Sequence, residues 1–467
     1  MGVARIDPGS YRDSRARVFH YDGAVYRALS DEATRDWSQL RDSRLFQAAA
    51  ADGRLVPTVE MPLGLVPTPP GPWSTVLSHE TIPFVSYPYE WTFGMAKAAA
   101  LLQLDLLDGA LDEGLVLRDG TAFNVQWTGC RPTFIDVTSF GRWEPGEAWA
   151  GYRQFCCQSL NPLLLQAYKG VPFGPWLRGD MEGLDPVSLA ALCSVRDMFR
   201  RGVLTHVVLH ARLQARYGRT DQAVRTSVKA GGLGKNVIRS TVRSLRRVIE
   251  PLRVDTSRSP WVHYTTDHGY EPGDHDRKRA FVERIARVRR RQLVWDLGCN
   301  TGEYARQLAD WSAYVVAIDA DEAAVDRVYH ELAAERRTGI LPLVSNVANM
   351  SPSQGWRQTE RLSLLDRGRP DLVVCLALAH HLVIGANVPV SELIGLMADL
   401  TDELLIEFVD RSDPMVQRLL RNREDTFAEY TRQGFERQLA RGFRIECTEE
   451  LAGGRRVLYY ARAVRKP

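Results

Sequence analysis

The sequence predicts an α/β protein: a doubly wound parallel sheet ending in an antiparallel hairpin, joined to an α+β N-terminal half. Three observations carry this. After residue 290, short apolar runs alternate with segments of helical period. The stretch "QLVWDLGCNTGEYARQLAD" passes from an apolar run through two glycines four apart into a helix pattern. The last two apolar runs, "RIECTEEL" and "RRVLYYARAV", are separated only by "AGG", which suits a hairpin.

Composition sets the frame for these elements. A chain of 467 residues predicts two or three domains, and 45% hydrophobic content supplies their cores. The net charge of +3 creates no global field, so neither nucleic acid nor a membrane surface is expected as a partner. The first twenty residues lack an apolar signal core, Ile6 breaks a myristoylation pattern, and no run approaches membrane-spanning length. Seven cysteines are scattered, and the adjacent pair Cys156 and Cys157 cannot form a zinc knuckle. A reduced, cytoplasmic protein is expected.

Residues 1–90 read as a small strand-rich lobe. "RVFHYDGAVYRALS" alternates around an Asp22–Gly23 turn, and prolines are frequent from Pro57 to Pro88. Residues 91–218 read as a helical lobe. Its long first helix begins at "WTFGMAKAAALL" and stops at Gly109 or Gly114, and Gly-Pro turns such as "VPFGPWLRGD" separate the later ones. Residues 219–260 read as a basic helical connector. Arg239, Arg243, Arg246 and Arg247 on it form either a phosphate-binding stripe or a solvated helix face, and the near-neutral chain favours the face.

Residues 261–467 form the last domain. Its strands are expected at "QLVWDLG", "AYVVAIDAD", "ILPLVSNV", "PDLVVCLALA" and "ELLIEFVD", with helices over 303–310, 322–337 and 391–400. Short, continuously apolar strands fit a parallel sheet buried on both faces. The closing hairpin raises the strand count to seven.

The glycine turn narrows the ligand. A dinucleotide fold wants three closely spaced glycines so that the backbone can approach a pyrophosphate. Here the spacing is Asp296, Gly298, Gly302; Asn300 replaces the middle glycine and Glu303 opens the helix. A carboxylate there would repel a pyrophosphate. S-adenosylmethionine carries no phosphate, and Asp296 suits its ammonium group. Asn300 also tolerates positive φ better than other non-glycine residues.

With those residues in view, 261–467 resembles a class I S-adenosylmethionine-dependent methyltransferase with its seven-stranded Rossmann-like sheet. "VWDLGCNTGEY" resembles the family's first motif. Asp319, at the end of "AIDAD", lies 23 residues beyond Asp296, where the family's acid binds both ribose hydroxyls. "LVSNVANMS" and "DLVVCLALAHHL" resemble the third and fourth motifs, and Asn346 matches the position that meets the adenine amino group. The resemblance implies S-adenosyl-L-methionine as cofactor and S-adenosyl-L-homocysteine as product. The preceding "WVHYTTDHGYEPGDHDRKRAFVERI" is read either as a lid or as packing at a domain junction. In the lid reading Trp261, Tyr264 and Tyr270 cover the cofactor and Lys278 pairs with its carboxylate.

His380 and His381 follow the fourth strand, at the carboxyl edge where such sheets bind ligands. Either is a candidate general base for a hydroxyl acceptor, or the pair shapes the pocket. The Asn-Pro-Pro-aromatic clamp of base and glutamine methyltransferases is absent here. Glu407 and Asp410 could join the histidines around a metal, but strand-end acids are common for ordinary reasons and no metal site is expected.

A second constellation lies in "GLVLRDGTAFNVQWTGCRPTFIDVTSF". Asp119 and Asn124 are five apart, and Asp136 ends an apolar strand. The arrangement resembles the catalytic lobe of kinase-like phosphotransferases, with Asp119 as the catalytic Asp and Asn124 and Asp136 as metal ligands. "FVSYPYEW" stands where that family has its hinge. Leu117 replaces the family's His, Val137 and Thr138 replace Phe-Gly, and no glycine-rich loop is visible. No lysine precedes Lys97, so the phosphate-pairing lysine is missing unless Arg27 substitutes. Magnesium and ATP are therefore not expected in this half.

Three functions follow. The leading one is O-methylation of a small-molecule, glycan or natural-product acceptor, with the N-terminal half helping to bind or position it. The alternatives are a bifunctional kinase-methyltransferase and a non-catalytic S-adenosylmethionine-binding protein. The sequence does not set the oligomeric state.

Overall fold

The structure is a computed structural model that describes residues 4–217, 234–254, 273–421 and 426–464. The chain divides into two compact units. Unit 1 comprises Met1–Asp255 and Ser353–Arg361; unit 2 comprises Thr256–Pro352 and Leu362–Pro467. The expected boundary after residue 260 lies outside the described residues. No helix among the described residues is long and apolar enough to cross a membrane.

Unit 1 begins with five antiparallel strands: β1 (Arg5–Ile6), β2 (Ala16–Tyr21), β3 (Ala24–Leu29), β4 (Thr58–Met61) and β5 (Thr75–His79). They run in the order β1-β2-β3-β5-β4. Asp22 and Gly23 take φ of 50° and 76°, the left-handed pair that a two-residue hairpin between β2 and β3 needs. Phe19, Ala28 and Val76 bury the inner face of this sheet.

Two helices that the strand-rich reading did not include stand between β3 and β4: α1 (Asp31–Arg41) and α2 (Arg44–Ala51). Their signals are local. Ser30 and Ser43 cap them by accepting from the backbone N–H of Ala33 and Phe46, and Ala33, Trp37 and Leu40 line the buried face of α1.

Helix α3 (Phe93–Asp112) follows, capped by Thr92. It runs through Gly109 and ends before Gly114, whose φ of 76° suits a residue without Cβ. Two short ribbons come next. One pairs β6 (Leu115–Leu117) with β9 (Phe140–Arg142), and the other pairs β7 (Val125–Thr128) with β8 (Arg131–Phe134). Together they bring the turns after β6, before β7 and after β8 to one place.

The helix Lys235–Ile249, read as connector, is part of unit 1. Ile238, Val242, Leu245, Val248 and Ile249 are buried along one face. Arg239 is paired with Asp108 and Asp112, and Arg246 with Asp105 and Glu250. Three of these acids lie on α3, so half of the arginine stripe is matched by carboxylates. The stretch Ser353–Arg361 also belongs to unit 1. Glu360, nearly buried, accepts from Tyr11 at 3.1 Å and from Arg12 Nε at 2.9 Å, and the Arg361 guanidinium lies 4.7 Å from the Phe123 ring centre.

Unit 2 is built on seven strands: β10 (Arg291–Leu297), β11 (Ser312–Asp319), β12 (Ile340–Val344), β13 (Leu372–Cys375), β14 (Glu403–Val409), β15 (Phe443–Leu451) and β16 (Arg456–Ala463). Their order is β12-β11-β10-β13-β14-β16-β15. The first five are parallel, and β16 is antiparallel to both β14 and β15. Helices Glu303–Ala309, Glu322–Ala334 and Val390–Leu400 lie where the periodicity places them. Asp274–Arg287, Pro414–Leu420 and Arg432–Gly442 are further helices. The order reverses between β10 and β13, and in open α/β sheets ligands bind at the carboxyl ends of strands beside such a reversal.

Candidate active site

The turn after β10 is shaped by three left-handed residues: Gly298 at φ 77°, Asn300 at 45° and Gly302 at 75°. The N–H groups of Gly298 and Cys299 both donate to the Ile318 carbonyl, at 2.8 and 3.1 Å, folding the turn onto the end of β11. A Cβ on Gly302 would come within 3.1 Å of Val328 Cγ1, and one on Gly298 within 3.3 Å of Leu378 Cβ. The glycine turn and the loop after β13 are thus in contact.

Asp296, at the end of β10, is buried, and its Oδ2 has no hydrogen-bond partner. Burial, then the Asp319 charge, pushes its carboxyl up to about 7. The side-chain oxygen of Asn300 is also buried and unpartnered. Two orphaned acceptors at one turn are costly unless a donor-bearing ligand fills the site. They fit an ammonium group.

Asp319 is half-buried. Its Oδ2 accepts from the Asn300 N–H at 2.8 Å and its Oδ1 from the Asp321 N–H at 2.9 Å, which fixes the carboxylate's orientation. Burial raises this carboxyl, and the backbone N–H groups offset part of the rise. Each oxygen keeps a lone pair for a further donor. Asn346 is exposed beyond β12, with its Oδ1 accepting from the Ala348 N–H at 2.9 Å.

Lys278, expected to pair with a cofactor carboxylate, is buried with its Nζ 2.7 Å from Glu407 Oε2. Glu407 also accepts from the Ala377 N–H at 2.8 Å and faces Arg456 Nη1 at 3.5 Å, while Arg456 Nε reaches Asp413 Oδ2 at 2.7 Å. Burial would raise Glu407, but Lys278 and Arg456 hold it below its ordinary value. Two cations and two carboxylates therefore neutralise each other inside the unit. They leave Glu407 engaged with donors, unlike a metal ligand. Asp410 accepts from Ser412, and no cluster of metal-binding side chains occurs among the described residues. Trp261, Tyr264 and Tyr270 lie outside the described residues.

The same network holds the loop that carries the histidines. Ala377 takes φ 50°, unusual for a residue with a Cβ, and its N–H is fixed by Glu407. His380 is fully buried and neither ring nitrogen has a hydrogen-bond partner. Burial, with the charges of His381, Arg456 and Lys278, keeps it far below the usual imidazole range. His381 is half-buried, its ring 4.2 Å from that of His380, and burial and Arg456 lower it too. Both are neutral at pH 7. Of the two, His381 alone keeps partial exposure.

Val383, two residues beyond His381 in the π-helical turn His381–Gly385, lies on the wall of a cavity of about 410 Å³ that His381 itself does not line. Val383, Asn387, Phe427, Glu429, Tyr430 and Arg437 are among its walls. The volume falls in the range of small-molecule sites, roughly 300–1,000 Å³. The sequence did not mark this cavity, because its walls come from two segments some forty residues apart.

In unit 1, Asp119, Asn124 and Asp136 converge. Ser139 Oγ lies 2.6 Å from Asp136 Oδ2 and 3.3 Å from Asp119 Oδ2, and Asn124 Nδ2 lies 3.1 Å from Ser139 Oγ and 3.4 Å from Asp136 Oδ2. Arg27, on β3, pairs directly with Asp136. Burial and the Asp136 charge raise Asp119.

Comparisons with known proteins add a family. No family model matches the chain. The chain is 33% identical over 458 residues to nodulation protein NoeA of Rhizobium meliloti (strain 1021), covering 97% of this chain and 94% of that protein. It belongs to the NoeA family. Among solved structures, it is similar to the N-methyltransferase NodS from Bradyrhizobium japonicum WM9, with 13% identity and a TM-score of 0.32, over 42% of this chain and 99% of that one. It is also similar to magnesium protoporphyrin IX methyltransferase from Synechocystis PCC 6803, with 18% identity and a TM-score of 0.30, over 48% and 94%. At such scores these likenesses carry no argument of their own.

Proposed function

We propose that unit 2 transfers a methyl group from S-adenosylmethionine to a hydroxyl of a small-molecule, glycan or natural-product acceptor. The observation that carries this is the pair of unpartnered acceptors, Asp296 Oδ2 and Asn300 Oδ1, at the reversal of the sheet. They suit the donor's ammonium, and Asp319 beside them suits its ribose hydroxyls. Asn346 is assigned to the adenine edge. A pyrophosphate is disfavoured because Glu303 opens the helix after the turn.

When bound, the donor supplies a methyl group activated by its sulfonium. The chain's contribution is alignment, exclusion of water, and removal of one proton. The cavity beyond His381 is assigned to the acceptor. With the donor held by Asp296, Asn300 and Asp319 and supplying its methyl group, an acceptor hydroxyl would pass its proton to the neutral His381 imidazole. His380, closed off from solvent, is assigned to packing beneath it. Unit 1 is assigned to acceptor recognition.

His381→Ala tests this reading. Turnover is expected to fall roughly 10²–10⁴-fold, the usual worth of a positioned base, while calorimetric affinity for S-adenosylmethionine stays within about threefold. Mass spectrometry that places the methyl on nitrogen or carbon would contradict the acceptor assignment.

A further inference from the structure

The kinase-like resemblance of unit 1 implies a divalent metal ion held by Asn124 and Asp136. The residues present do not fit one. Asp136 Oδ1 accepts from Arg27 Nη1, from the Thr138 hydroxyl at 2.6 Å and from the Thr138 N–H at 3.2 Å. Its Oδ2 accepts from Ser139 Oγ at 2.6 Å and faces Asn124 Nδ2 at 3.4 Å. Five donors thus converge on one carboxylate. A small divalent ion needs free oxygen lone pairs at about 2.0–2.6 Å, and Asp136 has none to give.

The one charged donor among the five is a guanidinium. Arg27 is about nine-tenths buried, and Nη1 also reaches Thr138 Oγ1 at 2.6 Å. Burial would raise the Asp136 carboxyl, yet Arg27 and the hydroxyls of Ser139 and Thr138 hold it below its ordinary value. His79, on the neighbouring strand, feels the same charge: burial and then Arg27 bring it down to about 3, so it adds no second cation. Arg118 does not compete for Asp136, because it pairs with Asp36 of α1 at 2.7 Å.

We propose that Arg27 is the resident cation of this cleft: its guanidinium occupies the position of a divalent metal, ties β3 to the turn after β8, and makes the cleft metal-independent. In the Asp119–Asn124–Asp136 constellation the Asp136 carboxylate is then committed to protein donors while Asp119 stays exposed, and unit 1 does not carry out metal-dependent phosphoryl transfer.

The test is titration of the full-length protein with Mn²⁺, followed by electron paramagnetic resonance, with and without ATP. The wild type is expected to show no saturable site tighter than about 1 mM, and Mn²⁺ is expected to change calorimetric ATP affinity by less than about twofold, since linked ligands shift each other reciprocally. Arg27→Met, which removes the charge and keeps much of the volume, is expected to gain a Mn²⁺ site at least roughly tenfold tighter. Arg27→Lys keeps the cation and is expected to stay without one. A submillimolar site in the wild type that Asp136→Asn abolishes would overturn the proposal, as would a folded Arg27→Met protein with no gain. Should Arg27→Met not fold, the wild-type titration and its Asp136→Asn control decide the matter alone.

Discussion

Asp296 shows how one buried carboxylate ties stability to ligand chemistry. Its folded pKa, about 7, stands above the ordinary 3.8. As pH rises between those values the unfolded chain releases this proton first, so the group's contribution to stability is lost upward through about 7. A ligand ammonium beside the carboxylate reverses the preference. Affinity for S-adenosylmethionine is therefore expected to rise as pH passes upward through about 7, and to decline again near pH 8, roughly where an α-amino group deprotonates. Asp296→Asn should lose the rising limb. Calorimetric titrations across this range check it, and a flat wild-type profile below pH 7 would contradict the ammonium assignment. The acid's place at the end of a strand was readable in the sequence, because the apolar run stops at it just before the glycine turn. The difference between His380 and His381 was not. Adjacent residues look equivalent in a sequence, and only the turn fixed by Glu407 decides which imidazole is closed off.

Among elements, the helix Lys235–Ile249 departs most from its sequence reading. Its arginines are its most conspicuous sequence feature, while the stripe of Ile238, Val242, Leu245 and Val248 at helical spacing fixes its place in unit 1. Leu245 is wholly buried, so Leu245→Ala is expected to cost about 2–5 kcal/mol in denaturant unfolding. Arg243 is exposed, so Arg243→Ala should stay within about 0.5 kcal/mol. Equal, small effects for both would mean that the helix is not packed. Elsewhere, parallel strands such as β11 were readable because burial on both faces leaves an unbroken apolar run. Helix α1 is marked only by Ala33, Trp37 and Leu40, and α2 is too short, at eight residues, to show a helical period, although Ser30 and Ser43 carry the cap signals.

At the scale of the molecule, the two halves differ in what local sequence encodes. In unit 2, motif and fold coincide: Asp296, Asp319 and the histidine loop all sit at carboxyl ends of parallel strands, so strand spacing alone positions them. In unit 1, the decisive contact joins Arg27 to Asp136 across more than a hundred residues, and no periodicity reports such a pairing. A missing lysine was visible; the guanidinium in a metal's place required the fold. The proposed function rests on binding of S-adenosylmethionine by the turn after β10 and the acid ending β11. Calorimetric titration of that donor into the wild type and Asp319→Ala tests it most directly. Saturable one-to-one binding to the wild type is expected, weakened at least roughly tenfold in the mutant, about 1.4 kcal/mol, as the carboxylate's bonds to the ribose hydroxyls are lost. Equal affinity in the two proteins, or no binding to the wild type, would contradict it.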